Sequence, residues 1–357
     1  MTSYRCRMSK SQTFINLPSI YLIIRLVQAD PMNNRIVALL VIVALAAAGI
    51  AAISFSGKPS GPPLPLTIGG PALETSALIY IAEDQHYFEQ NGLAVTEWTY
   101  DSGGATAGGL LKGDVDIGMM SEFVMANTIL NGGNITSLGY TDRFENMFLI
   151  GRKDRGTDTV QGLNGKTVGI PKGTIAEFYF GRYLDLHRVN PGNVSVVDVR
   201  PATSLNGSVD AMVTWHPYLD AITAQPAGNL TVWPIQGGQL TYWNAVSRAD
   251  WATAHPAEIS RFLRSLAEAE QFSMQHPVEA NLIVQKRLGY SDAYMAAIAP
   301  NNQYSLSLDR GMMAAMEDEA RWSIERNMTS AKQIPNFARY MDVNGLEAIK
   351  PGSIDLG

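Results

Sequence analysis

The sequence predicts an α/β protein of two lobes, with mixed, mostly parallel sheets, helices on both faces and a helical C-terminal region. Three observations predict it. Short apolar runs of strand length alternate with stretches of helix length from residue 64 to residue 247, a pattern that builds parallel sheets covered by helices. One phrase occurs twice: Leu111-Lys112-Gly113-Asp114-Val115-Asp116 and Leu205-Asn206-Gly207-Ser208-Val209-Asp210 both fit Leu-x-Gly-x-Val-Asp and start 94 residues apart. Each copy reads as a helix end, a left-handed glycine stop and a turn that opens a buried strand. After Asp250 the pattern changes to helical spacing, so strands give way to helices. A cleft between two such lobes, at the carboxyl ends of parallel strands, is the expected ligand site.

Taken in order, residues 1–31 read as foreign to the rest, with a short apolar patch at 20–27 broken by Arg25. Met32 is the expected true start, which makes 1–31 an upstream-start artefact. Asn33, Asn34 and Arg35 then precede residues 36–55, twenty positions without a charge. A basic start before an apolar run is an export signal, and this run is also long enough to cross a bilayer. The expectation is an uncleaved membrane anchor spanning 32–55, with everything after Phe55 outside the cytoplasm. No cysteine follows the run, so a lipoprotein anchor is excluded. Residues 56–63 form a Pro/Gly/Ser tether.

In the first lobe, 66–70 is a strand ending in glycines, and 75–90 is a helix with apolar Leu78, Ile79, Ile81, Ala82 and Phe88. Asn91-Gly92 stops it before a strand at 93–99. Gly103 and Gly104 open a short helix through Leu111. Strands at 115–119, 135–140 and 147–151 follow, with a helix starting at Ser121-Glu122. In the second lobe, 163–174 reads as turn, strand and Gly-Thr helix start, and 175–186 as the helix itself. Further strands fall at 194–199, 211–215, 230–235 and 242–247. Beyond Asp250, Ile259, Phe262, Leu263, Leu266 and Ala269 repeat at helical spacing. Pro256 and Pro277, each with a glutamate two residues on, mark helix starts. His255 and His276 before them are cap-region residues rather than metal ligands. Residues 312–324 are another helix.

The 357 residues, 46% hydrophobic, suffice for two medium domains with real cores. A net charge of −6 without a long basic run excludes nucleic acid as a partner. The lone Cys6 excludes a disulfide framework and a Cys/His zinc pattern, and no metal or other cofactor is expected.

With these residues laid out, residues 64–357 resemble the substrate-binding proteins of ABC importers, in the branch for nitrate, alkanesulfonate, taurine and thiamine-precursor uptake. Ala82-Glu83-Asp84-Gln85-His86-Tyr87-Phe88 with Asn91-Gly92-Leu93 looks like the family's Ala-Glu-x-Gly-x-Phe…Gly-Leu. Residues 113–118 match its Gly-x-Val-Asp-Ile-Gly. Residues 163–174 are close to its Leu-x-Gly-Lys-x-Val-Gly-x-Pro-x-Gly-Thr. Residues 207–217 match its Gly-x-Val-Asp-Ala…Trp-x-Pro. His86 stands where the family usually has glycine, and is expected to affect a helix end rather than the site. The resemblance implies a type II periplasmic-binding-protein fold that closes on ligand like a hinge. It places the first lobe at 64–151 plus 244–357, the second at 152–243, and crossover strands at 147–153 and 242–248. It also implies ABC permease and ATPase subunits as partners and a monomeric receptor.

Gly173 and Thr174 sit at a helix N-terminus after a strand, where free N–H groups, the helix dipole and a hydroxyl suit a sulfonate, carboxylate or nitrate. Thr174 equally fits a plain N-cap. Gly103, Gly104 and Thr106 form a similar helix start in the first lobe, and Gly70, Pro71 and Glu74 lie at and just after the end of its first strand. Ser121 and Glu122 follow the third strand, and Tyr140 ends the fourth. Glu122 would repel an anion but accept from an amine or aminopyrimidine; the alternative is a solvated first-turn acid. Trp215, His216, Tyr218, Tyr242 and Trp243 lie at strand ends where rings stack on a ligand or wall off its tail; ordinary core packing is the alternative, and the stronger one for Trp243. Five Asn-x-Ser/Thr sequons, at Asn134, Asn193, Asn206, Asn229 and Asn327, suit an exported protein.

The expected function is an extracytoplasmic receptor that captures a small solute, either a sulfonate-, nitrate- or taurine-like anion or a pyrimidine-like compound. Two alternatives stand beside it. One is an enzyme on the same fold, of menaquinone- or pyrimidine-biosynthesis type, against which the export segment and the lack of a nucleophile–base pair argue. The other is a ligand-sensing ectodomain serving a separate signalling chain.

Overall fold

Alternation of strand and helix resolves into two sheets in the computed structural model, which describes residues 61–203, 205, 208–224 and 230–356. β1 (Leu64–Gly70) leads through a 3-10 turn at Glu74–Ser76 into α1 (Ala77–Asp84) and α2 (Tyr87–Gln90). β2 (Leu93–Thr99), α3 (Gly103–Lys112), β3 (Ile117–Ser121), α4 (Glu122–Leu130) and β4 (Ile135–Phe144) follow. Then come β5 (Phe148–Arg152), β6 (Thr167–Ile170), α5 (Ile175–Leu186), β7 (Ser195–Asp198), β8 (Ala211–Thr214), α6 (Tyr218–Thr223) and β9 (Leu230–Pro234). β10 (Thr241–Arg248) precedes the helical stretch α7 (Ala249–Ala254), α8 (Pro256–Gln275), α9 (Pro277–Leu288) and α10 (Asp292–Ile298). The chain closes with β11 (Asn302–Asp309), α11 (Arg310–Glu325), α12 (Val343–Ile349) and β12 (Ile354–Asp355).

The seven-stranded sheet runs β12-β11-β4-β10-β3-β1-β2 and the five-stranded sheet β7-β6-β8-β5-β9. Both are mixed, with five pairings parallel and five antiparallel. The antiparallel share comes from β5, which runs against β8 and β9 in the five-stranded sheet, and in the seven-stranded one from β10, against β3 and β4, and β11, against β4. The chain passes between sheets at 145–147 and 235–240, on either side of those strands. The expected crossovers at 147–153 and 242–248 are therefore corrected: β5 lies wholly in one sheet and β10 wholly in the other.

The repeated phrase does the same work in both sheets. Asp116 accepts from the Thr67 N–H at 2.8 Å and its hydroxyl at 2.6 Å, tying the start of β3 to β1. Asp210 accepts from the Thr167 N–H at 2.9 Å, tying the start of β8 to β6. The strands so joined are parallel neighbours in each case. Gly113 has the expected left-handed φ of 84° at the end of α3, while Gly207 lies outside the described residues. The helix expected before the second copy is absent among the described residues of 199–210. Pro201 withholds an N–H there.

Two other expectations change. The helix at 75–90 breaks at His86, whose φ of 57° is left-handed and ends the first turn series before Tyr87. This is the position where the resemblance calls for glycine, the residue that tolerates that conformation. β11 interrupts the expected all-helical C-terminal region. Its Leu306 and Leu308, two apart and fully buried, show strand alternation.

The seven-stranded sheet packs a core that includes Phe88 and Phe262, stacked with centroids 6.3 Å apart. The five-stranded sheet packs a second core around Leu149, Phe178 and Tyr179, which also takes Leu73 and Phe123 from the first-sheet side. Trp322 of α11 joins the two, lying 6.2 Å from the Phe123 ring and 5.6 Å from that of Phe178 in α5. Gly181 makes room for it: a Cβ there would sit 2.5 Å from the indole. Arg326 donates twice to Asp185, at 2.8 and 2.6 Å, across the same seam. The expected upstream-start segment 1–31, the expected anchor 32–55, tether residues 56–60 and the sequons Asn206 and Asn229 lie outside the described residues. No helix among the described residues is long and apolar enough to cross a membrane.

Candidate functional site

Three helices start at the seam between the sheets, each after a strand or turn that delivers a hydroxyl to its N-cap. Ser102 accepts from Ala105 N at 3.2 Å, Ser121 from Val124 N at 3.4 Å and Thr174 from Ala176 N at 3.3 Å. These caps satisfy N–H groups that a helix start leaves free. All three hydroxyl residues line one cavity of about 50 Å³. Its wall on the seven-stranded side is Pro71, Leu73, Thr75, Gly103, Val124, Phe144 and Trp243; on the other side lie Ile175 and Trp215, with Asn146 and Met147 from the link between sheets. Trp243 is held in place from behind, its indole N–H donating to Ser76 Oγ at 3.2 Å. The Thr75 hydroxyl and the Trp215 indole N–H are buried and have no partner among the described residues.

Asn146 knits the seam behind this cavity. Its Nδ2 donates to Glu74 Oε1 at 3.0 Å and its Oδ1 accepts from His216 N at 2.9 Å. Tyr290 donates its hydroxyl to the other Glu74 oxygen at 3.1 Å. Burial, partly offset by these bonds and its own backbone, pushes the Glu74 carboxyl up to about 7. His216 pairs through Nδ1 with Asp220, and its ring packs edge-on to Phe148 at 5.1 Å.

Of the residues singled out in the sequence, Pro71, Ser121, Thr174 and Trp215 are brought together in the cavity wall. Glu74 and His216 lie one bond behind it, through Asn146. Gly104 and Gly173 meet across the seam, where a Cβ on Gly104 would lie 2.6 Å from the Gly173 carbonyl oxygen. They border a separate, open groove on the flank. Gly173 N donates to Glu177 Oε2 at 2.8 Å, so that helix start is already occupied by its own acid. Thr106 is buried, its hydroxyl donating to Ser102 O at 3.0 Å. Gly70 borders another hollow beside Arg287 and Trp98.

Glu122 does not border the cavity. It is fully buried, one oxygen accepting from Tyr242 N at 3.0 Å while the other has no partner among the described residues. Burial, opposed by the Tyr242, Glu122 and Phe123 N–H groups, pushes its carboxyl up to about 8. Glu319 of α11, also fully buried, is raised by burial and by Glu122 itself. Tyr140 and Tyr242 pair edge-to-face at 5.2 Å, with the Tyr140 hydroxyl donating to Asp309 at 2.6 Å. Neither borders the cavity; the neighbour Trp243, for which the sequence favoured core packing over a ligand role, does. Successive strand residues point to opposite faces, so only one of the two can face the cleft. Leu73, Thr75, Asn146, Met147, Phe144 and Ile175 carried no chemical signal in the sequence. No group of three or more His, Cys, Asp or Glu gathers as for a metal ion among the described residues.

Comparison with known proteins fits this architecture. A Bacillus subtilis (strain 168) protein assigned by its name to aliphatic sulfonate binding is 24% identical over 198 residues, 54% of this chain and 60% of that protein. The taurine-binding periplasmic protein of Escherichia coli (strain K12) is 24% identical over 207 residues, 55% of this chain and 63% of that one. The chain thus spans under two thirds of the length of either. The alkanesulfonate-binding protein SsuA from Xanthomonas axonopodis pv. citri, solved bound to MOPS, shares the fold with a TM-score of 0.65. That match is 18% identical and covers 79% of this chain and 99% of that one. The profile of the family described as NMT1/THI5 like matches residues 74–280, more than half of the chain. The protein belongs to the NMT1/THI5-like family.

Proposed function

We propose that the protein is an extracytoplasmic solute-binding receptor of an ABC importer, holding a small molecule between two lobes that close like a hinge. The observation that carries this reading is a single cavity walled from both sheets and by three helix starts, beside the two links that join the sheets. The lobes follow the strands of each sheet, 64–144 with 241–356 and 148–234, rather than the bounds at 151/152 and 243/244 expected from the sequence, and the links at 145–147 and 235–240 form the hinge. The named binding of aliphatic sulfonates and taurine by relatives supports a solute of that size. Pro71, Ser121, Thr174 and Trp215 contact it directly, while Glu74 and His216 hold Asn146 in place. The cavity wall offers hydroxyls, an amide and indoles rather than a nucleophile with its base, which supports binding over catalysis. Residues 36–55 tether the protein to the membrane outside the cytoplasm, where permease and ATPase subunits accept its cargo. Peptide mapping of the native protein tests the start at Met32, since peptides from 1–31 overturn it.

Thermal unfolding against taurine, alkanesulfonates, nitrate, bicarbonate, aminopyrimidines, riboflavin and simple aromatic acids tests the receptor role. A ligand at a hundred times its dissociation constant adds about 2.7 kcal/mol. No shift with any of these, nor with a cell extract, overturns it.

A further inference from the structure

Charge sets this cavity apart from what the names of its relatives suggest. No Arg, Lys or His stands in its wall. Anions can also be held by helix starts alone, through free N–H groups and the positive end of the dipole. One of the three helix starts here is already answered by an acid of its own. Glu177 takes the Gly173 N–H at the start of α5. Glu122, the first residue of α4, is fully buried and accepts from Tyr242 N at 3.0 Å, across the sheet rather than from its own helix start. Glu74, adjacent in sequence to Thr75 of the wall, is 1% exposed and forms no ion pair among the described residues. A buried anion beside these groups would find no counter-charge, and burying an unpaired charge is heavily penalised.

What remains for a ligand is apolar wall and hydrogen-bond donors. Leu73, Phe144, Met147 and the faces of Trp215 and Trp243 supply the wall. Thr75 is 2% exposed and Trp215 8%, and the polar atom of each is unpartnered. An indole N–H can only donate, so its partner must be an acceptor.

We infer that the cavity takes an uncharged solute with a mainly apolar body and a hydrogen-bond acceptor, such as an amide, sulfonamide or sulfone, and rejects the sulfonate or carboxylate of the same shape. This rests on the receptor reading above and adds the charge of the cargo to it. The acceptor meets Trp215 Nε1 and the Thr75 hydroxyl, and the apolar body lies between the two indoles.

The test is a set of matched pairs titrated against the full chain, read by tryptophan fluorescence: dimethyl sulfone with methanesulfonate, benzenesulfonamide with benzenesulfonate, benzamide with benzoate. The neutral member of each pair is expected to bind at least tenfold more tightly. Glu177→Gln, which frees the start of α5 from its own carboxylate, is expected to improve anion binding about two- to fivefold and leave the neutral members unchanged. Tighter binding of the anions by the native chain overturns the charge assignment and leaves the receptor standing. A Glu177→Gln variant that binds neither class differently overturns the role given to that acid. Silence of both members of every pair, in fluorescence and in unfolding temperature, removes the receptor reading for this cavity and the inference with it.

Discussion

Replacing Glu122 with glutamine should make the protein markedly less sensitive to alkaline pH. Glu122 is fully buried and its carboxyl is pushed from 4.5 to about 8 by that burial. In the unfolded chain it ionises near its ordinary value, so between these two pH values the folded state holds a proton that the unfolded state has released. Stability then falls as pH rises across that window, at up to about 1.4 kcal/mol per unit for this group. It is fully present below the unfolded value and fully lost above the folded one. Glutamine cannot ionise, yet its carbonyl oxygen can still accept from Tyr242 N. From pH 5 to pH 8 the stability difference between Glu122→Gln and the native chain should move by about 3 kcal/mol in favour of the variant. Urea unfolding at pH 5, 6, 7 and 8, followed by tryptophan emission, measures it. A difference that stays constant across those four pH values would refute the reasoning, because it would mean that Glu122 ionises as readily folded as unfolded.

Other perturbations follow from close contacts. Gly181→Ala places a methyl 2.5 Å from the Trp322 ring, and overpacking of this kind should cost about 1–3 kcal/mol in denaturant unfolding. Gly104→Val drives the start of α3 against the Gly173 carbonyl oxygen, which would stand 2.6 Å from the new Cβ; the lobes should part there, and emission from Trp215 and Trp243 should shift to the red as water enters. His86→Gly relieves a left-handed φ of 57° and should stabilise the chain by about 1 kcal/mol, with an unchanged or lower melting temperature counting against that account.

The strands and helices of the first lobe were legible because each carried a local signal that agreed with its packing, as with the burial of Leu78, Ile79, Ile81 and Ala82 on α1. β11 was hidden by its neighbours: eight residues of period two lie between two helical stretches, and Asn302, Ser305 and Ser307 blur the pattern. The site was legible where it is built from helix caps after strands, at Ser121 and Thr174. It was illegible where apolar residues of the links and strand ends form the wall, since Leu73, Met147 and Ile175 resemble any core residue. The pair Tyr242 and Trp243 shows a sharper limit. β10 is buried along Thr241–Ser247 on both faces, so no polar alternation marks which face meets the cleft.

The two links enter and leave the five-stranded sheet side by side, with Ile235 N donating to Met147 O at 3.0 Å and Asn146 N to Gln236. All five of its strands come from the stretch between those links. One uninterrupted piece of chain whose ends touch can be exchanged as a cassette without rethreading the rest. Thr174 and Trp215 travel with that cassette, whereas Pro71, Ser121 and Trp243 stay with the host sheet. Either wall of the cavity can therefore be re-specified while the other is kept, by splicing as well as by point substitution.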